Sequence, residues 1–284
     1  MNQNDLDFCE SLIRTAGAAL HSQCAKRTQP PATKDAAFLT FNEANDQIET
    51  LLKEALLQRF PAIRWSSSEF RPDQQQQPEF DGLYWICDAI DGALHFLQRF
   101  GFYSLSLCLI QDGKPVLAFI YDPERDELFY AQEGVGAFMN GKRISPAAKT
   151  ALSDAYIATS PPSFPADEPE TTAYAIQSAH AVMMKSFAVK MLGSVKLQLA
   201  YVACGRLDGY WEFASGYGDY YDWLPGAFIV QEAGGVVTDT EGRPFTWGTR
   251  GVLASNASLQ PHLAQELSCY SGREIRKNIG MESL

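Results

Sequence analysis

Two N-terminal segments carry the hydrophobic spacing of amphipathic helices. Apolar side chains recur every three to four positions in residues 5–26 and again in residues 43–59, so each set falls on one face of a helix. In the first segment these positions are Leu6, Cys9, Ile13, Ala16 and Leu20. Pro61 ends the second helix, because proline has no backbone N–H to donate. The polar, proline-containing stretch 28–35 is predicted to be the loop between the two helices.

Short runs of β-branched and aromatic residues, separated by turn-forming residues, predict a series of strands. Asp112-Gly113-Lys114 and Asn140-Gly141 mark tight turns between neighbouring runs. After about residue 150, strand-like runs alternate with helix-like ones, and residues 161–169 form a predicted loop. The predicted strands are 63–69, 83–87, 103–110, 116–121, 128–131, 137–139, 156–159, 207–213, 236–238 and 252–255, and the later predicted helices are 194–204, 221–233 and 258–268.

Strands mixed with helices in this order predict a layered α/β architecture. The 284 residues, 46% of them hydrophobic, suffice for a sizeable core. Length alone fits one large domain or two tightly joined halves equally well. The change of pattern near residue 150 favours two halves: an N-terminal α+β half over residues 1–150 and a C-terminal α/β half over residues 151–284.

The chain is acidic, with a net charge of -11 at pH 7. That charge disfavours binding to nucleic acid or to an anionic membrane, since both are negative themselves. No apolar run approaches the length that spans a bilayer, and the acidic N-terminus lacks the basic-then-apolar order of a signal peptide. The six cysteines include no closely spaced pair of the kind found in zinc sites. We therefore expect a protein of the reducing cytoplasm that binds neither nucleic acid nor membrane.

The most informative motif is Asp88-Ala89-Ile90-Asp91-Gly92, which follows an apolar, strand-like run. Two carboxylates three residues apart before a glycine can point at one spot while the turn exposes backbone N–H groups. This arrangement suits a hard divalent cation that bridges to a phosphate. An Asp-rich turn that only closes a strand is the other interpretation of the motif taken alone.

Two further carboxylates stand at the edges of predicted elements. Asp222 comes where a helix should begin, with Pro225 in its first turn and Gly234-Gly235 at its end. Glu69 ends the short strand-like run that starts at Ile63. Each residue also has a plain structural interpretation, Asp222 as a helix N-cap and Glu69 as a solvated side chain at a loop edge.

Taken in order along the chain, these motifs resemble those of the inositol monophosphatase superfamily. The family sequences D-P-I-D-G, W-D-x-A-A-G and E-A-G-G correspond to Asp88-Ala89-Ile90-Asp91-Gly92, Asp222-Trp223-Leu224-Pro225-Gly226 and Glu232-Ala233-Gly234-Gly235. Further matches are Asn140-Gly141-Lys142, Gly193-Ser194-Val195 and the run from Cys204 to Glu212. The resemblance implies a layered α-β-α-β-α sandwich of the inositol monophosphatase / fructose-1,6-bisphosphatase type, with a metal site between its halves, and a homodimer.

The resemblance also implies a site for Mg²⁺, with Mn²⁺ as an alternative ion. The implied metal ligands are Glu69, Asp88, the carbonyl of Ile90, Asp91 and Asp222. In such a site, metal-bound water attacks the phosphate of a small phosphorylated substrate. The implied substrate contacts are Gly92, Ala93, Gly193, Ser194 and Glu212.

Two positions that activate the water in that family are changed here. Asn45 stands where the family has an aspartate, and Ala93 stands where it has a threonine. An amide cannot take a proton, and a methyl group cannot relay one. Asp46 is the next residue along the helix and therefore points about 100° away. His95, in place of the family's asparagine, is either an acid/base group or a structural hydrogen-bond donor.

Two functions therefore remain open. In the first, the chain is a Mg²⁺-dependent phosphomonoesterase for a small phosphorylated polyol, sugar or nucleotide. The retained ligand carboxylates favour this function, which we prefer on the sequence alone, since such a cluster is costly without a metal. In the second, the chain binds metal and a phosphorylated ligand, or a protein partner, without efficient hydrolysis. The changed water-activating pair at Asn45 and Ala93 favours the second function.

Overall fold

The computed structural model describes residues 1–66, 81–214 and 219–270. Within these ranges the chain stacks helices and sheets in five alternating layers, which confirms the predicted layered α/β class. None of the described helices has the length and hydrophobicity that crossing a bilayer requires. Glu69 lies outside the described residues.

Two long helices form the first layer. They are α1 (Gln3–Lys26) and α2 (Lys34–Arg59). The predicted stripe of α1 is buried, and it packs with Ile48 and Leu52 of α2 against one face of the first sheet. Asn2 caps α1 by accepting the N–H of Asp5, which satisfies one of the donors left free at a helix start.

The second layer is a seven-stranded sheet whose strands lie in chain order. Its strands are β1 (Arg64–Trp65), β2 (Leu83–Asp91), β3 (Ser104–Gln111), β4 (Lys114–Asp122), β5 (Glu127–Gln132), β6 (Gly136–Met139) and β7 (Lys142–Arg143). Only the pair β1 and β2 is parallel. Leu107 and Leu109 of β3 face the first helices, and Cys108 and Ile110 face the opposite side, as strand alternation requires.

Two helices fill the space between this sheet and a second one of five strands. These helices are α5 (Val195–Ala203) and α6 (Asp219–Glu232). The second sheet has the order β11-β12-β10-β8-β9, made of β8 (Tyr156–Thr159), β9 (Ala188–Met191), β10 (Gly209–Phe213), β11 (Val236–Thr238) and β12 (Gly251–Ser255). Its outer face packs against α4 (Pro169–Met183) and α7 (Gln260–Leu267). The middle helices thus bury apolar side chains against both sheets.

Several parts of the fold differ from the sequence prediction. Helix α2 begins at Lys34 rather than at residue 43, because Thr33 caps it by accepting the N–H of Ala36 at 3.2 Å. A short helix, α3 (Ala93–Gln98), follows β2 directly and was not predicted. Helix α4 and strand β9 were also missed. The buried stripe of α4 consists mostly of small side chains, Ala175, Ser178, Ala179 and Val182, so its hydrophobic periodicity is weak.

Candidate functional site

A cleft of about 460 Å³ opens where the middle helices meet the ends of the two sheets. It is within the size range of small-molecule sites. Most of the residues that the sequence predicted for the site line this cleft together: Asp88, Ile90, Asp91, Gly92, Ala93, His95, Gly193, Ser194, Glu212 and Asp222. The structure therefore brings together segments that are more than a hundred residues apart in the chain.

A bulge at the end of β2 turns two aspartates toward the cleft. Asp88 pairs with Ser106 and Asp91 pairs with Ser104, so three steps along β2 match two steps along β3. In a regular strand, residues three apart point to opposite faces, and the extra residue re-aims the second side chain. Gly92 then turns the chain with φ +83, and a Cβ on it would lie only 2.9 Å from the carbonyl oxygen of Phe102.

Asp91 is buried and is held by donors from the protein itself. Its Oδ2 accepts hydrogen bonds from Ser194 Oγ at 2.7 Å, from the backbone N–H of Lys196 at 2.9 Å and from Ser104 Oγ at 3.2 Å. Burial raises the pKa of Asp91 to about 6, against the lowering effect of the Lys196 charge. Ser194, predicted to contact substrate, is itself buried and caps α5 by accepting the N–H of Leu197.

Lys196 is the site residue that the sequence prediction missed. Its side chain is fully buried, and its ammonium group donates hydrogen bonds to Asp88 Oδ2 and, at 3.1 Å, to Asp222 Oδ1. Among the described residues that line the cleft, Lys196 thus contacts all three aspartates. It reaches Asp88 and Asp222 through Nζ and Asp91 through its backbone N–H. A signal was present in the sequence, because a lysine in the first turn of an otherwise apolar helix opposes the helix dipole.

Asp222 is not a helix N-cap. Helix α6 begins at Asp219, so Asp222 lies inside the first turn and Pro225 lies within the helix rather than in its first turn. Its side chain pairs with Lys196 instead of with the helix backbone. Burial raises the pKa of Asp222, and the Lys196 charge opposes that rise.

The described residues do not fit a divalent ion between Asp88 and Asp222. Across residues 1–66, 81–214 and 219–270, no group of three or more His, Cys, Asp or Glu side chains is arranged to hold a metal. The Lys196 ammonium already contacts both carboxylates there, and a second cation at that place would be repelled. Nearby, Ile90 lines the cleft, and its N–H donates to Asp88 Oδ1 at 3.0 Å.

Of the three predicted catalytic residues, Ala93 and His95 line the cleft and Asn45 does not. Ala93 opens α3 and lines the cleft. Asn45 is half-buried on α2 and is not among the lining residues, although Phe41, one helical turn earlier on the same side, lines the cleft. Asp46 is exposed.

His95 lines the cleft but is packed among apolar and backbone atoms. A Cβ on Gly193 would lie 2.1 Å from the His95 ring, and the rings of Phe100 and Phe102 are centred 5.8 and 6.0 Å from it. Burial lowers the pKa of His95 and so favours the neutral imidazole. This environment favours a packing role, which also explains why residue 193 is glycine.

Glu212 is fixed in the cleft by two aromatic side chains. Its Oε2 accepts hydrogen bonds from the hydroxyl of Tyr210 and from Nε1 of Trp223, each at 2.8 Å. Trp223 neighbours Asp222 on α6, so the same helix orients both acidic residues. The side chain is thereby held in place in the lining of the cleft.

Five alternating helix and sheet layers, with an aspartate-lined cleft where the middle helices meet the ends of the two sheets, define the inositol monophosphatase / fructose-1,6-bisphosphatase class of folds. The chain belongs to the inositol monophosphatase family, whose family model matches residues 1–271. This confirms the superfamily and the fold predicted from the motifs.

Individual relatives agree with this assignment. The chain is 36% identical over 224 residues to "Inositol monophosphatase 2" of Solanum lycopersicum, covering 77% of this chain and 81% of that one. It is 35% identical over 160 residues, 56% of each protein, to "Nus factor SuhB" of Xylella fastidiosa. Among solved structures, inositol monophosphatase from Anabaena (Nostoc) sp. PCC 7120 aligns with a TM-score of 0.75 and 26% identity over 93% of this chain and 95% of that chain.

Proposed function

We propose that the cleft binds a small phosphorylated polyol, sugar or nucleotide and hydrolyses it slowly or not at all. One observation carries this proposal: every carboxylate that lines the cleft within the described residues accepts hydrogen bonds from the protein's own side chains. Lys196 engages Asp88 and Asp222, serines engage Asp91, and Tyr210 and Trp223 engage Glu212. A general base must be within reach of the proton that it removes, and none of these groups is free for that role.

The chemistry of the lining supports the proposed ligand class. Membership in the inositol monophosphatase family makes a small phosphate ester the natural ligand. The carboxylate of Glu212 offers an acceptor for a ligand hydroxyl, and Gly92 and Ala93 start a helix whose first N–H groups have no partner within that helix. Ala93 supplies no hydroxyl for water activation, which supports slow turnover.

Charge balance indicates how the phosphate is accommodated. The three aspartates carry more negative charge than Lys196 balances, so this group of four residues is negative overall. A phosphate dianion therefore needs an additional cation to bind beside it. We propose that Mg²⁺, or Mn²⁺, enters together with the ligand. Its proposed protein contacts are the remaining predicted ligands, Glu69 and the Ile90 carbonyl, with Asp88.

The expected result is a phosphorylated compound that stabilises the folded protein only in the presence of Mg²⁺. A ligand that binds only the folded state raises stability by about 2.7 kcal/mol at a hundredfold excess over its Kd. A thermal-shift screen of phosphomonoesters, each with Mg²⁺ and with EDTA, measures this. Asp91→Asn, in the cleft, should abolish the shift, whereas Asp154→Asn, at an exposed position, should keep it.

The fate of the bound compound distinguishes the two open functions. Under the proposal it stays intact for hours while it stabilises the protein. Release of inorganic phosphate at about 10 per second, an ordinary enzymatic rate, would contradict slow hydrolysis and establish the Mg²⁺-dependent phosphomonoesterase instead. The ordered family motifs favour that second candidate.

Several finer features stay part of the proposal. We propose a homodimer, a cytoplasmic location and a division into halves at residue 150, which fit the family and the acidic composition of the chain. For the non-hydrolysing function, we also propose a protein partner as a ligand, since one relative carries the name of a Nus factor.

A further inference from the structure

We infer that the Lys196 ammonium is a built-in cation that replaces a divalent metal ion between Asp88 and Asp222. This goes beyond the proposed function, because it concerns the charge balance of the protein before any ligand binds. It would stand even if no phosphorylated compound were found.

The position of Lys196 has no explanation in helix stability. The residue lies in the first turn of α5, immediately after the Ser194 cap and Val195. A positive charge at the N-terminal end of a helix is disfavoured by the helix dipole. Full burial of an ammonium group is costly as well, unless carboxylates surround it. Among the described residues, the aspartates that Nζ contacts offset both costs.

The contacts of Lys196 reproduce those that a shared metal ion would make. Its Nζ donates to one oxygen each of Asp88 and Asp222. Its backbone N–H donates a hydrogen bond to Asp91 Oδ2, which also accepts hydrogen bonds from two serine hydroxyls. An oxygen with three donors has no lone pair left for a metal. Lys196 thereby supplies one positive charge and hydrogen bonds to the three aspartates in the absence of an ion.

The consequence is that removal of the lysine charge opens a metal site. With Lys196→Ala, the carboxylates of Asp88 and Asp222 face the vacated space, and divalent cations favour such paired carboxylate ligands. Two unit charges about 4 Å apart near a protein surface interact by several kcal/mol at an effective dielectric constant of about 20, so loss of the repelling ammonium corresponds to at least about a 10²-fold gain in metal affinity.

The test is a calorimetric titration of Mn²⁺ into wild type and Lys196→Ala. The variant should bind one Mn²⁺ ion beyond any that wild type binds, or bind it at least about 10²-fold more tightly. Adding Asp222→Asn to Lys196→Ala should remove the gained site. Lys149→Ala is the matched control, because Lys149 pairs with Asp208 at 2.8 Å outside the lining of the cleft, and it should bind Mn²⁺ as wild type does.

Equal Mn²⁺ binding by wild type and Lys196→Ala would overturn the inference. Mn²⁺ binding by the wild type that Asp222→Asn abolishes would also overturn the inference. The metal would then bind Asp222 while Lys196 is still present. Should Lys196→Ala not fold, Lys196→Met provides the same comparison, because methionine keeps an apolar stem but carries no charge. If Lys196→Met binds Mn²⁺ no better than wild type does, the inference is overturned as well.

Discussion

Lys196→Met is expected to lower the free energy of unfolding by about 3–5 kcal/mol when EDTA is present. The methionine fills the space of the lysine stem but leaves Asp88 and Asp222 without the ammonium that now contacts both. Without that ammonium the two carboxylates repel each other, and Asp88, whose side chain is almost fully buried, has lost most of its solvation. Urea unfolding monitored by tryptophan fluorescence measures the change, with the slope checked for constancy between variants.

Lys149→Met is the control for this prediction. Lys149 pairs with the buried Asp208, but its own side chain is 43% exposed, and Asp208 also accepts the backbone N–H of Tyr156 at 2.7 Å. We therefore expect a much smaller loss there, as is usual for solvent-exposed ion pairs. A loss for Lys196→Met no greater than that of Lys149→Met would contradict the role assigned to the buried lysine.

Restoring hydrolysis should require three changes together. The combination Asn45→Asp, Ala93→Thr and Lys196→Ala is expected to raise Mg²⁺-dependent phosphatase turnover by about 10²–10⁴-fold, the usual contribution of a positioned acid/base system. Asn45 follows Phe41, a lining residue, by one turn on α2, so a carboxylate there is on the correct side of the helix. Removal of the lysine makes room for the metal whose water would be activated.

The variant with only Asn45→Asp and Ala93→Thr is the informative comparison. With Lys196 still in place, it should remain close to wild type, because the residues that would activate the water act as a unit with the metal site. Phosphate release from a panel of phosphomonoesters measures turnover in both variants. Full activity in the double variant would show that Lys196 does not exclude the metal. No gain in the triple variant would show that something other than these three residues limits hydrolysis.

Much of the site could be predicted from sequence because its motifs are local. Asp88 and Asp91 are separated by three residues, and both the bulge and Gly92 lie within the same short segment. Their ordered match to a family also predicted that Gly193, Glu212 and Asp222 would join them, and all three line the cleft. The strands were likewise visible, since strand alternation and turn residues act over a few positions.

Lys196 escaped prediction because its partners are distant in the chain. Asp88 lies 108 residues before it and Asp222 lies 26 residues after it, and only folding brings them together. Within its own segment the lysine looks like a polar residue of a helix. Pairing information across such separations is not contained in hydrophobic periodicity.

The start of α2 was misjudged for a different reason. Pro30 and Pro31 and the polar residues around them suggested a loop that continued through Asp35. The cap made by the Thr33 side chain, together with Asp35 in the first turn, starts the helix early instead. Both are ordinary N-terminal helix signals that the neighbouring prolines obscured.

On our inference, the Lys196 ammonium stands where a divalent ion would bind. Anomalous X-ray scattering from crystals of the wild-type protein grown with Mn²⁺ tests it most directly. We expect no Mn²⁺ peak between Asp88 and Asp222, with Lys196 Nζ in contact with both carboxylates. A Mn²⁺ peak about 2.1 Å from oxygens of these two aspartates, with the Lys196 side chain displaced, would contradict it.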